Sequence, residues 1–175
     1  MNKIIVKLTY SALCLALRSA LPFLTGQIPE IGSLHCPMHF PVILCGFLCG
    51  FPWGMAVGFV TPLLRSVIFG MPPMMAAIPM AFELLTYGLI AGILYKLIGN
   101  KVLGTYLSLI SAMIGGRIVW GAAQLVITGL NGSSFPFSAF IAGAVLNAIP
   151  GIIAQIVLIP LIVFALERAN LVFND

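Results

Sequence analysis

Four charged side chains lie inside long apolar runs of this 175-residue sequence, where they could bind a ligand or one another. A charge at membrane depth costs at least about 2.5–3.5 kcal/mol, so such residues face a cavity or pair together. One interpretation is a polar pocket open to one side. The other is a structural arginine–glutamate pair, with the other two arginines reaching toward the membrane surface. The residues are Arg18, Arg65, Glu83 and Arg117, a net positive set that suits a carboxylate ligand.

Polar neighbours support the pocket interpretation. Arg117, Trp120 and Gln124 recur at intervals of three and four residues, so one helix face offers a cation, an indole and an amide. Glu83 and Tyr87 share a face in the same way. Because Trp and Tyr also anchor helices at membrane interfaces, both a ligand contact and an anchor role stay open for Trp120 and Tyr87.

The segment 35–39 brings two histidines, a cysteine and a methionine close together in the sequence. Imidazole and thiolate suit copper or zinc. However, the proline between the histidines favours a helix start that would align them poorly, and no third histidine or carboxylate is nearby. We therefore predict no metal and no cofactor, and we expect His35 and His39 to contact the ligand, with a purely structural role as the open alternative. Asn147, about 15 Å into the last apolar run, is a further candidate.

The composition defines the elements that position these residues. Hydrophobic residues make up 61% of the chain and charged residues 7%, whereas a soluble domain has about 25% charged residues. Eight basic and four acidic residues are too few to cover a globule of this size. The cations are scattered singly, which excludes a nucleic-acid-binding groove. The composition also excludes a soluble enzyme and a disordered tail, and it predicts an integral membrane protein.

Six apolar runs, separated by turn-forming residues, predict an all-α, six-transmembrane-helix bundle that forms a single domain, 1–175. A transmembrane helix needs about 20 mostly apolar residues. The second run spans only about 20 Å at 1.5 Å per residue, so it must be short, begin near Ile31, or re-enter the membrane. The runs cover residues 4–24, 38–50, 53–69, 74–97, 102–128 and 137–166.

Flanking cations predict the orientation. With six spans, all five flanking cations, which lie near or beyond the ends of the runs, fall on one side, and the opposite connections carry none. The positive-inside rule then places both termini in the cytoplasm. The five cations are Lys3, Lys7, Lys96, Lys101 and Arg168.

Small residues form two repeats with a four-residue period. Such stripes let membrane helices approach closely. At 100° per residue, Arg18 points about 200° from the mean direction of the alanines; if Arg18 faces the pocket, the alanines face lipid or another membrane protein. The glycine repeat is interpreted as internal packing. The repeats are Ala12, Ala16 and Ala20 in the first run, and Gly46, Gly50, Gly54 and Gly58 around the second turn.

Catalytic motifs are missing from the sequence: it contains no HExxH, no GxSxG and no glycine-rich phosphate loop followed by Lys. We therefore predict that the protein is not an enzyme. Two alternatives to ligand capture stay open. One is a stand-alone secondary transporter, in which the charges would line a through-pathway. The other is a ligand-free membrane scaffold, in which the charges only pair.

Three ordered blocks follow the alanine repeat: LHCPMHFPVILCGFLCG, GFVTPLLRSVIFGMPP and AFELLTYGLIAG. Over nearly the whole chain, this arrangement resembles the substrate-capture (S) components of energy-coupling factor transporters. The resemblance implies high-affinity binding of a water-soluble vitamin or vitamin precursor at the outer face of the cell membrane, for ATP-driven uptake. The charge balance slightly favours an anionic ligand such as pantothenate, and pyridoxine, a thiamin-precursor pyrimidine and other vitamins stay open as alternatives.

The resemblance also implies partners, namely a transmembrane coupling (T) subunit and two ATP-hydrolysing subunits. It implies that Ala12, Ala16 and Ala20 dock on the coupling subunit, and that the segment 25–37 helps to close the pocket. The candidate ligand-binding residues are Arg18, His35, His39, Arg65, Glu83, Tyr87, Arg117, Trp120, Gln124 and Asn147.

Overall fold

The computed structural model describes residues 3–25, 39–98, 102–130, 132, 136–144, 148–169 and 171–173. Within these ranges every regular element is a helix. The helices are α1 (Lys3–Thr25), α2 (Phe40–Cys49), α3 (Phe51–Phe69), α4 (Met74–Ile98), α5 (Val102–Leu130), α6 (Phe137–Ala144) and α7 (Ile149–Arg168).

Five of these helices, α1, α3, α4, α5 and α7, are long and apolar enough to cross a membrane. The prediction of an all-α protein with several spans is confirmed, whereas six spans are not. The run 38–50 yields α2, whose ten residues cover about 15 Å of a hydrocarbon core about 30 Å thick. The run 137–166 yields two helices rather than one. Pro150 lies in the first turn of α7, a position where proline is tolerated, whereas inside a continuous helix it would clash.

The short helix α2 lies in the centre of the bundle. It packs against α1, α3, α4 and α7, and all its residues from Pro41 to Cys49 are buried. Gly50, with a φ of 93°, separates α2 from α3; this left-handed conformation is one that glycine adopts without strain. The chain therefore reverses direction between α2 and α3 at this single residue.

Glycines allow the backbones of α2, α3 and α4 to contact one another directly. A Cβ atom on Gly54 of α3 would lie 2.8 Å from the Cα of Gly46 in α2 and 3.0 Å from the Cα of Gly88 in α4. A Cβ atom on Gly58 would meet the carbonyl of Leu84. The interpretation of the glycine repeat as internal packing is confirmed for Gly46, Gly54 and Gly58. We call this contact the glycine seam, defined by Gly46, Gly54 and Gly88.

Contacts between helix ends define the two ends of the bundle. At one end, the Tyr95 hydroxyl of α4 donates to Glu167 Oε1 of α7, and the backbone N–H of Phe173 donates to the Leu48 carbonyl of α2 at 2.7 Å. The helix termini carrying Lys3, Lys96 and Arg168 lie at this end, which we call the basic end. At the opposite end the rings of Phe23 and Phe69 meet with centroids 5.0 Å apart. Lys3, Lys96 and Arg168 thus share one end of the bundle, and which side of the membrane this end faces stays a prediction.

Candidate functional site

Glu83 is the centre of a buried polar cluster. It lies on α4, between the backbone contacts of the glycine seam and the opposite end, and its side chain is 2% exposed. The Tyr87 hydroxyl, one turn along the same helix face, donates to Glu83 Oε1 at 2.7 Å. Arg117 Nη1 of α5 lies 3.0 Å from the same oxygen, and His39 Nε2 lies 3.8 Å from it. Three chain segments therefore converge on one carboxylate oxygen.

Small residues let these helices approach closely enough for the cluster to form. Gly116, adjacent to Arg117, leaves no side chain where the Tyr87 ring packs against α5, and a Cβ there would overlap ring carbons. The ring of Tyr87 also meets that of His39 edge to face, with centroids 5.6 Å apart. The local geometry therefore orients the Tyr87 hydroxyl toward Glu83.

A cavity of about 230 Å³ opens beside this cluster. Arg117 supplies a partly accessible cation, since its side chain is 20% exposed. Five of the predicted site residues line the cavity: His39, Glu83, Arg117, Trp120 and Gln124. Tyr87 joins them through its hydrogen bond to Glu83. The face of α5 that the sequence indicated is thus the face that borders the cavity.

Two helices begin at the cavity wall. His39 precedes α2 and Ala148 precedes α7, and both residues line the cavity. The first N–H groups of a helix lack intrahelical partners, and the N-terminal end carries a partial positive charge. Among the described residues, these ends and Arg117 contribute positive charge at the cavity wall, and Glu83 contributes negative charge.

Arg18 lies behind the cavity wall. Its side chain is 1% exposed, and its Nη2 lies 3.6 Å from the sulfur of Met80, which lines the cavity. Arg18 therefore does not reach to a membrane surface, as one interpretation of the sequence required. It adds a second buried positive charge near Glu83.

Arg65 is placed elsewhere. Its Nε donates to the Met71 carbonyl at 3.1 Å, and its Nη1 donates to the Ser19 carbonyl of α1 at 2.9 Å. Its guanidinium carbon lies 5.3 Å and 5.8 Å from the ring centroids of Phe23 and Phe69. Because Arg65 is not among the cavity-lining residues, the structure does not bring it together with Arg117. The two hydrogen bonds of Arg65 therefore link α3 to α1 and to the connection that leads to α4.

His35 and Asn147 lie outside the described residues, as does most of the segment 25–37. Among the described residues, no group of three or more His, Cys, Asp or Glu side chains could hold a metal ion. Sequence reasoning missed four cavity-lining residues. For Ala76 and Met80 a signal was present, because they share a helix face with Glu83 at intervals of four and three residues. No pattern marked the other two, Gly143 and Ala148.

The alanine repeat lies on the exposed face of α1. Ala12, Ala16 and Ala20 are exposed, whereas Cys14 and Arg18 on the other face of α1 are buried. The predicted opposition between Arg18 and the alanines is therefore confirmed. The alanines form a surface that another helix could approach closely.

The fold and the cavity define a class: a multi-span membrane protein whose helices enclose a small polar pocket. Within this class, the family model for the substrate-specific component of ECF (energy-coupling factor) transporters matches residues 6–164. The chain belongs to this family, whose members bind substrate for a transporter and are not enzymes, and which work with a module of T and ATPase subunits. A search of curated proteins and a search of solved structures gave no match.

Proposed function

We propose that this protein captures a small anionic vitamin or vitamin precursor with high affinity at the outer face of the cell membrane. A T subunit and two ATPase subunits then drive its uptake. The observation that carries the proposal is the placement of Arg117 in the cavity wall, 3.0 Å from Glu83 and on one helix face with Trp120 and Gln124.

This arrangement can divide the recognition of a ligand between two kinds of group. A guanidinium has five N–H donors in a planar fork, so Arg117 can bind a carboxylate while its Nη1 stays close to Glu83. The indole of Trp120 and the amide of Gln124 lie farther along α5 and can hold the uncharged part of the ligand. The starts of α2 and α7 contribute positive charge. We assign His39 to the cavity wall and Arg18 to electrostatic support.

Native mass spectrometry of the purified protein tests this proposal. We expect the wild type to retain a small anionic molecule, and Arg117→Met to lose it. Arg168→Met, which removes an exposed cation from the basic end, is the matched control and should retain the molecule. Co-purification with T and ATPase subunits tests the transporter assignment separately. A neutral retained molecule, or equal retention by Arg117→Met, would contradict the anion assignment.

A further inference from the structure

A second hollow lies directly below the cavity, toward the basic end. This apolar groove, of about 310 Å³, runs between α5, α6 and α7. Its lining includes Ile110, Met113, Arg117, Phe140, Ile152 and Ile156. Arg117 lines both the groove and the polar cavity.

The cavity and the groove meet at Arg117, the residue that lines both. On α5, Gln124 and Trp120 line the cavity, Arg117 lines both hollows, and Met113 and Ile110 line the groove. These positions recur at intervals of three and four residues, so they follow one helix face.

The residues of α6 and α7 that face α5 are divided between the cavity and the groove in the same way. Ala148, which directly precedes α7, lines the cavity, and Ile152 and Ile156, one and two turns farther along the chain, line the groove. On α6, the Phe140 ring lines the groove and stacks on that of Trp120 in the cavity wall, with centroids 6.3 Å apart. The lining is thus polar above Arg117, in the cavity, and apolar below it, in the groove.

The polar cavity alone is smaller than most small-molecule binding sites. Small-molecule sites enclose roughly 300–1,000 Å³, whereas the polar cavity alone measures about 230 Å³. From Arg117 to Ile110, the groove extends about 10 Å along α5 at 1.5 Å per residue.

We propose that the ligand is an amphiphilic carboxylate: its anionic group binds Arg117, and an apolar arm lies in the groove. This inference rests on the proposed function and adds the chemical class of the ligand. Charge complementarity favours this occupant over a neutral lipid tail. Arg117 lines both hollows, and its fork of five N–H donors can bind a carboxylate at the head of the groove while its Nη1 stays 3.0 Å from Glu83.

A chain-length series tests the inference. Butanoate, hexanoate and octanoate, with octanamide as the neutral analogue, are titrated against the full chain in phosphatidylcholine nanodiscs, with empty nanodiscs as the blank. We expect affinity to rise about two- to fourfold per added methylene group, as apolar burial predicts. Octanamide should bind at least 10-fold more weakly than octanoate, and Arg117→Met should remove this difference.

Two adjacent isoleucines provide a matched pair of variants. Ile152→Trp fills the groove and should lower octanoate affinity at least 10-fold while leaving butanoate affinity within twofold. Ile153→Trp adds the same bulk on the exposed side of α7 and should change neither. A flat chain-length series, or equal losses in both variants, would overturn the inference; an acyl chain of nanodisc lipid in the groove that octanoate does not displace would do the same. The proposed function would survive those outcomes if a small anion is still retained and the ATPase subunits still co-purify.

Discussion

Arg117 is the residue on which ligand affinity should depend most. Arg117→Met keeps much of the apolar stem but removes the donor fork beside Glu83. A hydrogen bond to a charged group contributes about 1.5–3 kcal/mol, so affinity for an anionic ligand should fall about 10- to 100-fold. Arg117→Lys should recover only part of this loss, because an ammonium is a point charge rather than a planar fork. Isothermal titration with the retained ligand and its carboxamide measures both effects.

Arg65→Met is the control that the structure supplies for that measurement. Arg65 donates to the carbonyls of Ser19 and Met71 and lies outside the cavity. We therefore expect lower thermal stability and ligand affinity within about twofold of wild type. If Arg65→Met instead loses affinity as Arg117→Met does while its thermal stability is unchanged, Arg65 reaches the ligand.

The glycine seam is the element-scale feature with the clearest energetic consequence. In Gly54→Ala, the new methyl group would lie 2.8–3.0 Å from the Cα atoms of Gly46 and Gly88, and backbone on both sides cannot rotate away. Overpacking of this kind costs about 1–3 kcal/mol, so the unfolding midpoint in detergent should fall.

Gly129→Ala provides the comparison for the seam variant. Gly129 lies in α5, and nothing stands within 4 Å of a Cβ built there. Replacing glycine by alanine inside a helix is favourable by roughly 0.5–1 kcal/mol, so this variant should be at least as stable as wild type. Equal destabilisation of both variants would mean that the seam is not the source of the effect.

The exposed alanines of α1 form the proposed docking surface for the T subunit. Ala16→Trp should leave ligand affinity within about twofold, because Ala16 points away from the buried face that carries Arg18. The bulky ring would hold two helices apart and remove the close contacts that drive association in lipid. We expect co-purification of the T and ATPase subunits to be lost, whereas Leu103→Trp, also exposed, should retain it. Loss of ligand binding together with assembly would place the stripe inside the fold.

The elements differ in how far the sequence determined them. The long helices followed from runs of about 20 apolar residues, and the face of α5 followed from the spacing of Arg117, Trp120 and Gln124. The break between α6 and α7 did not, because apolar residues continue on both sides of it and only Pro150 marks it. Arg65 was harder to place. The sequence predicted its depth in the membrane from its position along α3, but it did not predict the carbonyls that accept its hydrogen bonds, because helix packing brings them close.

At the scale of the whole molecule, we propose that the basic end lies in the cytoplasm. Cysteine labelling of intact cells tests this in a Cys36→Ser background; Cys14, Cys45 and Cys49 are buried. Met71→Cys, at an exposed position of the opposite end, should react with an impermeant maleimide from outside. Asn100→Cys, between α4 and α5 in the sequence, should react only after the cells are opened. The reverse pattern would invert the protein and place the cavity on the wrong side for capture.

The glycine seam also determines which parts of the molecule can move. Where backbones touch directly, no side chain is available to change rotamer and absorb a displacement, so we expect α2, α3 and α4 to move together. The cavity is bordered by these three helices through His39 and Glu83, and by α5, α6 and α7 through Trp120, Gly143 and Ala148. We therefore expect any opening of the cavity to involve α5, α6 or α7 rather than the seam; among the described residues, α6 contacts α5 over a short stretch.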